Sequence, residues 1–92
     1  MLRLVTIDLF GADLTLFEAY EAKVLPLVAK HGGRLEQRLR SLDGTSEVHL
    51  LNFPDAAGFE AYRADPARLA AQADWDACRA SSVAVEVRRL ET

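Results

Sequence analysis

Two residues of this sequence have side chains suited to proton transfer, provided that the fold brings them together. His49 carries a ring that titrates near neutral pH, and Asp8 carries a carboxylate that could orient the ring and select its tautomer. Both residues lie in segments of alternating polarity that are expected to pair as neighbouring strands. The sequence therefore predicts an acid–base pair in which His49 exchanges the proton and Asp8 orients it.

Arginine and tyrosine side chains are the candidates for substrate binding. Arg38 and Arg88 have guanidinium groups that can bind a carboxylate or enolate oxygen bidentately. Tyr20 and Tyr62 lie on the apolar stripes of two predicted helices, where a hydroxyl either lines a pocket or belongs to a packed core. A structural interpretation also exists for the acid–base pair, as a buried hydrogen-bonded network without a substrate.

The sequence lacks the motifs of several familiar chemistries. It contains no glycine-rich phosphate loop, no Gly-x-Ser-x-Gly elbow and no His-Glu-x-x-His. Its two histidines, His31 and His49, fall in different elements, and Cys78 is its single cysteine, which makes a poor zinc set. We therefore expect no metal and no cofactor. Whether the chain is an enzyme stays open at this point.

The elements that must position these residues follow from the periodicity of the apolar positions. Alternating and helical patterns succeed one another as β-α-β-β-α-β, which predicts a ferredoxin-like α+β fold in one domain over residues 1–92. Such a fold has a four-stranded antiparallel sheet with helices on one face. The predicted strands are Leu2–Phe10, Arg34–Leu42, Ser46–Phe53 and Val83–Leu90, and the later helical pieces are Pro54–Ala64 and Pro66–Ala80.

Alternation also divides each strand into two faces. The set predicted to face the helices is Val5, Ile7, Leu9, Leu35, Leu39, Val48, Leu50, Val83, Val85 and Val87. The opposite set is Leu4, Thr6, Asp8, Phe10, Glu36, Arg38, Arg40, His49, Leu51, Phe53, Glu86 and Arg88. A face that is half apolar and half charged predicts a homodimer formed through the open side of the sheet.

Two residues bear on a pocket between helices and sheet. Pro26 interrupts the first helix, because it cannot donate to the Ala22 carbonyl. The resulting kink either opens a pocket or only bends the helix over a twisted sheet. On a helical wheel Trp75 falls on the exposed side of the last helix, where it would contact a partner or cover a cavity.

Composition and charge limit the partners. The 92 residues carry a net charge of −3, and no basic stripe is present, which argues against nucleic acid. No run approaches the ~18 apolar residues of a membrane span. The segment Met1–Phe10 has the pattern of a strand and not of a signal peptide, and a lone cysteine suits a reducing compartment. We therefore expect a cytoplasmic protein without a membrane partner.

Two stretches at the ends of helices and strands carry a resemblance to a known family. They are Tyr20–Pro26 leading into His31–Arg34, and Glu47–Phe53 running into Pro54–Tyr62. With these stretches the chain resembles the dimeric α/β-barrel superfamily, and most closely its small bacterial branch of uncharacterised single-domain proteins. The resemblance implies a ferredoxin-like protomer whose sheet pairs with a second one to close a barrel.

The superfamily includes cofactor-independent monooxygenases, isomerases and decarboxylases of aromatic compounds, haem-dependent enzymes and ligand-sensing domains. None of their motifs matches here, so no catalytic role is carried over. The resemblance also implies a pocket between sheet and helices, closer to Tyr20 and Tyr62 than to His49. We thus expect a homodimer that binds or transforms a small organic metabolite. The alternative is a non-catalytic binding or assembly module whose sheet face only forms the dimer.

Overall fold

Four strands and five helices follow one another along residues 1–92, all of which the computed structural model describes. The elements are β1 (Leu2–Asp8), α1 (Leu14–Val24), α2 (Pro26–Lys30), β2 (Arg34–Arg40), β3 (Ser46–Asn52), α3 (Ala56–Arg63), α4 (Pro66–Ala70), α5 (Gln72–Cys78) and β4 (Ser81–Val87). The strands form one antiparallel sheet in the order β2-β3-β1-β4. The predicted ferredoxin-like α+β fold is confirmed. None of the helices has the length and apolar character needed to cross a bilayer.

The first helix is interrupted where Pro26 predicts a break. Helix α1 begins at the side chain of Asp13, whose Oδ1 accepts a hydrogen bond from the Leu16 amide at 3.0 Å. The helix ends at Val24, and Pro26 occupies the first position of α2, where its missing N–H removes no hydrogen bond.

The last predicted helix is interrupted at Ala71, and Trp75 consequently lies on a different face from the one that the helical wheel predicts. Helices α4 and α5 are separate, so a wheel drawn through both of them assigns the wrong face to α5. The Trp75 ring is half-buried, 5.1 Å from the Tyr20 ring and 6.4 Å from the Phe17 ring between centroids. Trp75 therefore packs on α1.

The predicted faces of β3 and β4 are wrong. Val5 points toward the helices as predicted, and its neighbours in register are His49 on β3 and Ala84 on β4. Residues in register share a face, so His49 faces the helices. The members of these two strands predicted to face the helices instead lie on the side of the sheet away from them, here called the open face: Val48, Leu50, Val83, Val85 and Val87.

In β2 a bulge at Glu36 changes the alternation. Leu35 lies opposite Leu51, but Arg38 lies opposite His49, one residue out of step. Arg38 and Arg40 consequently face the helices, and Leu39 is on the open face. The open face is therefore mainly apolar and not half charged, and its exposed members include Val83 and Val85, at 66% and 46% exposure.

In the core between sheet and helices, the ring of Phe53 packs directly against the backbone of Gly33. Phe53 is completely buried against Phe59 and Tyr62, with ring centroids 5.6 and 5.7 Å apart. A Cβ atom on Gly33 would lie 2.5, 2.7 and 2.8 Å from three atoms of the Phe53 ring. This space is too small for any side chain.

We expect Gly33→Ala to lower the free energy of unfolding by about 1–3 kcal/mol, because the added methyl group overpacks a rigid ring. Chemical denaturation measures the change. Adding Phe53→Leu to this variant makes room for the methyl group, so the double substitution should cost less than the sum of the two single ones. A Gly33→Ala protein within about 0.5 kcal/mol of wild type would contradict the packing.

Candidate functional site

A cavity of about 330 Å³ lies between the helices and the sheet. Its walls are largely aromatic, with Tyr20 from α1, Phe59 and Tyr62 from α3 and Trp75 from α5. The polar side chains that line it are Arg3, Glu21, His49, Arg63, Arg68, Gln72 and Ser82. A concave, mostly apolar space with a few polar groups is the usual form of a small-molecule site.

Three buried ionisable side chains meet at the sheet side of this cavity. Glu47 and His49 are two positions apart on β3 and so point the same way, toward the helices. The His49 Nε2 atom lies 2.6 Å from a Glu47 carboxylate oxygen and 3.9 Å from a Glu21 carboxylate oxygen. All three residues are at most 5% exposed. We call Glu21, Glu47 and His49 the acid–base cluster.

Glu47 is the ionised member of the cluster. Burial opposes its charge, but hydrogen bonds from His49, Arg40 and Arg38 outweigh burial and lower the pKa of Glu47. The arginine Nε atoms donate at 3.1 Å from Arg38 and 2.9 Å from Arg40. Both arginines also pair with the exposed Glu18. The carboxylate of Glu47 is thus held in place and fully satisfied.

Glu21 has the opposite environment. Burial raises the pKa of its carboxyl group to about 7; the nearby Arg38 charge offsets this in part, and the Glu47 charge adds to it. No protein group donates a hydrogen bond to Glu21, and the His49 ring lies 3.9 Å from one of its oxygens. Near neutral pH this carboxyl group therefore exists in both protonation states, which is what a general acid or base requires.

His49 is neutral at the same pH. Burial lowers its pKa more than the hydrogen bond to Glu47 raises it. A neutral ring that donates from Nε2 to Glu47 has an unprotonated Nδ1, which can accept a proton. If Nδ1 takes up a proton, the Glu47 carboxylate 2.6 Å from Nε2 stabilises the resulting charge.

The phenols beside the cluster are neutral hydrogen-bond donors. Burial raises the pKa of Tyr20, although the charge of Arg68 opposes the rise. Burial also raises the pKa of Tyr62, against a hydrogen bond from Arg68 and its charge. Both rings are less than a tenth exposed and line the cavity. A bound molecule would thus meet two hydroxyl groups in addition to the acid–base cluster.

The acid–base cluster also has the donor atoms of a metal site. One ligand atom from each of Glu21, Glu47 and His49 lies within 4.8 Å of the other two. However, the guanidinium groups of Arg38 and Arg40 already bind both Glu47 oxygens, and Nε2 of His49 is occupied by the same carboxylate. A cation would have to break these bonds beside two positive charges, so the arrangement suits proton transfer better than metal binding.

Comparison with known proteins identifies the family. The model of the NIPSNAP family matches residues 2–92. The chain belongs to the NIPSNAP family. No protein of curated function matches the sequence significantly.

Solved structures share the fold of this NIPSNAP chain at low sequence identity. SnoaB, a cofactor-independent oxygenase from Streptomyces nogalater, is 21% identical with a TM-score of 0.74, over 97% of this chain and 93% of that one. An uncharacterized NIPSNAP domain protein from Burkholderia xenovorans is 19% identical with a TM-score of 0.64, over 100% and 99%. A dimeric ferredoxin-like protein of unknown function from Jannaschia sp. CCS1 is 17% identical with a TM-score of 0.68, over 95% and 100%. The resemblance to the dimeric α/β-barrel superfamily is confirmed.

The structure of this NIPSNAP protein brings together only some of the predicted site residues. His49, Tyr20 and Tyr62 line one cavity, and their roles in binding or catalysis stay predictions. Asp8 does not share a face with His49, because the pairing of Val5 with His49 puts Asp8 on the open face. Its carboxylate accepts a hydrogen bond from the Phe10 amide and is exposed. The predicted contact between Asp8 and His49 is therefore wrong.

The two predicted substrate-binding arginines lie outside the cavity. Arg38 forms salt bridges with Glu18 and Glu47, so it holds the Glu47 carboxylate of the acid–base cluster in place. Arg88 follows the end of β4 and lies on the surface beside Met1 and Leu90. Neither arginine is placed to bind a molecule in the cavity.

Sequence reasoning missed Glu21 as a candidate, although the sequence carries a signal for it. Phe17, Tyr20 and Val24 form the apolar stripe of α1, and Glu21 lies four residues after Phe17 and three before Val24. The apolar stripe of an amphipathic helix faces the core, so an acidic residue within the stripe is expected to be buried. Arg3 and Arg68 gave no comparable signal, because their places in the cavity depend on strand register and on the break at Ala71.

Proposed function

We propose that this NIPSNAP protein is a homodimer that binds a small organic molecule in the cavity and exchanges a proton with it through Glu21 and His49, without a resident metal. The observation that carries the proposal is a carboxyl group without a hydrogen bond, buried 3.9 Å from an imidazole, inside an aromatic cavity. Such a carboxyl group can accept a proton near neutral pH, as derived above.

Each member of the acid–base cluster has a separate role in this proposal. Glu21 takes a proton from an acidic C–H or O–H bond of the bound molecule and returns it at another atom or to water. His49 offers Nδ1 as a second acceptor, while Glu47 keeps Nε2 protonated. The neutral phenols of Tyr20 and Tyr62 donate hydrogen bonds to an oxygen that gains negative charge during the transfer.

The relatives support two parts of this proposal. SnoaB, which has the same fold, is a cofactor-independent oxygenase, so chemistry without a cofactor has a precedent on this framework. The Jannaschia protein is dimeric. On this chain the apolar open face is the surface available for a second copy, because a monomer would leave Leu39, Val83 and Val85 in water.

Hydrogen–deuterium exchange of carbon acids tests the proton transfer. A panel that includes the neutral ketone phenylacetone is incubated with the protein in D₂O, and loss of the α-hydrogen signal is followed by NMR. Wild type is expected to accelerate exchange of at least one compound. Glu21→Gln should lower the rate at least about 100-fold, because it removes the proton acceptor. Glu60→Gln, which replaces an exposed glutamate of α3, should leave the rate unchanged.

The second candidate function is a binding or assembly module without catalysis. It is favoured by the ion pairs of Glu18, Arg38, Arg40 and Glu47, which are complete without any ligand. Binding of a panel compound without faster exchange would contradict proton transfer and support this module. Exchange that is equally fast in Glu21→Gln would contradict the role of Glu21.

A further inference from the structure

Two arginines of the cavity have no partner of opposite charge. The Nε atoms of Arg3 and Arg68 are both buried without a hydrogen bond. Glu86 lies opposite Arg3 in register on β4, yet no salt bridge joins them. Arg38 and Arg40, by contrast, are fully paired. Since neither guanidinium group has a salt bridge, an anion that enters the cavity would meet two unpaired positive charges.

Aromatic rings hold the two guanidinium groups in place. The Arg3 guanidinium carbon lies 4.6 Å from the centre of the Phe59 ring, and that of Arg68 lies 5.1 Å from the centre of the Tyr62 ring. A guanidinium stacked on a ring keeps its N–H groups free at its edges, where they fit the oxygens of a carboxylate. Arg3 comes from β1 and Arg68 from α4, so the donors belong to the sheet and to the helical layer.

We infer that the cavity takes a planar aromatic molecule bearing an oxyanion, with Arg3 and Arg68 as its anion-binding pair. The inference rests on the proposed function, since it names the class of molecule that the same cavity binds. The carboxyl group of Glu21 lines the same cavity, so a bound molecule would meet it together with the two arginines.

Shape and size support the aromatic part. The rings of Tyr20, Phe59, Tyr62 and Trp75 line the space, and aromatic faces favour stacked or tilted planar groups. A volume of about 330 Å³ holds on the order of ten non-hydrogen atoms, at roughly 30 Å³ for each water-sized group. One aromatic ring with a short acidic side chain has this size.

Matched probes test the inference on the whole protein. Phenylacetate and phenylacetamide have nearly the same shape but differ in charge, and NMR titration of the ¹⁵N-labelled protein gives a Kd for each. Wild type is expected to bind phenylacetate at least about tenfold more tightly, because hydrogen bonds to a charged acceptor are the stronger ones. Phenyl phosphate, titrated in parallel, distinguishes a site for carboxylates from one for phosphates.

Substitutions locate the preference. Arg3→Gln and Arg68→Gln should each reduce the ratio between acid and amide at least about threefold, and Arg68→Lys should restore only part of it. Arg88→Gln, outside the cavity, should keep the full ratio. Equal binding of acid and amide by wild type would overturn the inference and leave the proton transfer standing, since phenylacetone tests that separately. Binding of neither probe, together with no exchange of phenylacetone, would overturn both.

Discussion

Replacing Glu21 by glutamine is expected to make the protein more resistant to unfolding at pH 8 than wild type. The pKa of this carboxyl group rises from 4.5 to about 7 on folding. Its contribution to stability is therefore fully present below pH 4.5 and is lost as the pH rises through 7. A shift of this size corresponds to about 3 kcal/mol between pH 4.5 and pH 8. Glutamine cannot ionise, so the variant should lack this loss.

Chemical denaturation at pH 4.5 and pH 8, at one protein concentration, measures the effect. The difference in unfolding free energy between Glu21→Gln and wild type should change by about 3 kcal/mol between the two pH values, in favour of the variant at pH 8. Glu60→Gln controls for the loss of an exposed glutamate and should show no such change. If the unfolding free energy of Glu21→Gln had the same pH dependence as that of wild type, folding would not raise the pKa of the Glu21 carboxyl group, and the prediction would be wrong. Glu21→Gln should thus stabilise the protein at pH 8 and also slow the hydrogen–deuterium exchange of the bound molecule. Functional residues often lower stability in this way.

Substituting Val85 by arginine is expected to convert the proposed dimer into monomers. Val85, Leu4 and Leu50 form one row across three strands of the open face. The Val85 side chain is 46% exposed in the single chain, so the protomer should tolerate arginine there. In a dimer packed through this face the same charge would be buried without a partner, which costs several kcal/mol and weakens association at least about 100-fold.

Light scattering after size-exclusion chromatography gives the mass directly. Wild type should have twice the 10.2 kDa of one chain, and Val85→Arg should have the mass of one chain. Leu42→Arg is the matched control, because Leu42 is fully exposed in the turn between β2 and β3. A wild-type monomer, or a Val85→Arg protein that stays dimeric, would contradict a dimer through the open face.

The sequence predicted the elements better than the faces of its strands. The order of strands and helices followed from periodicity, and the break at Pro26 followed from residue type. The faces were assigned by sending the more apolar alternation toward the helices. In this chain Val83 and Val85 lie on the open face instead, while the helix side accommodates charged and polar residues.

That reversal explains why the candidate site was only half predicted. His49 was chosen for its chemistry, and its true neighbours, Glu47 and Glu21, come from the reversed face and from a helix. Asp8 was chosen because the wrong face of β3 put His49 on the same side of the sheet as Asp8. The alternation of side chains along a strand does not show which face of the sheet meets the helices when both faces carry apolar residues.

The pKa of the Glu21 carboxyl group, measured directly, tests most closely whether the cavity holds a proton-exchanging acid. Carbon-13 labelling of the glutamate side chains and an NMR titration from pH 3 to pH 9 give the midpoint for each carboxyl group, and Glu21→Gln assigns the resonance. We predict a midpoint near 7 for Glu21, with Glu47 titrating below its ordinary range. A midpoint near 4.5 for Glu21 would show that this carboxyl group is solvated and ionised at neutral pH, and would contradict its proposed role.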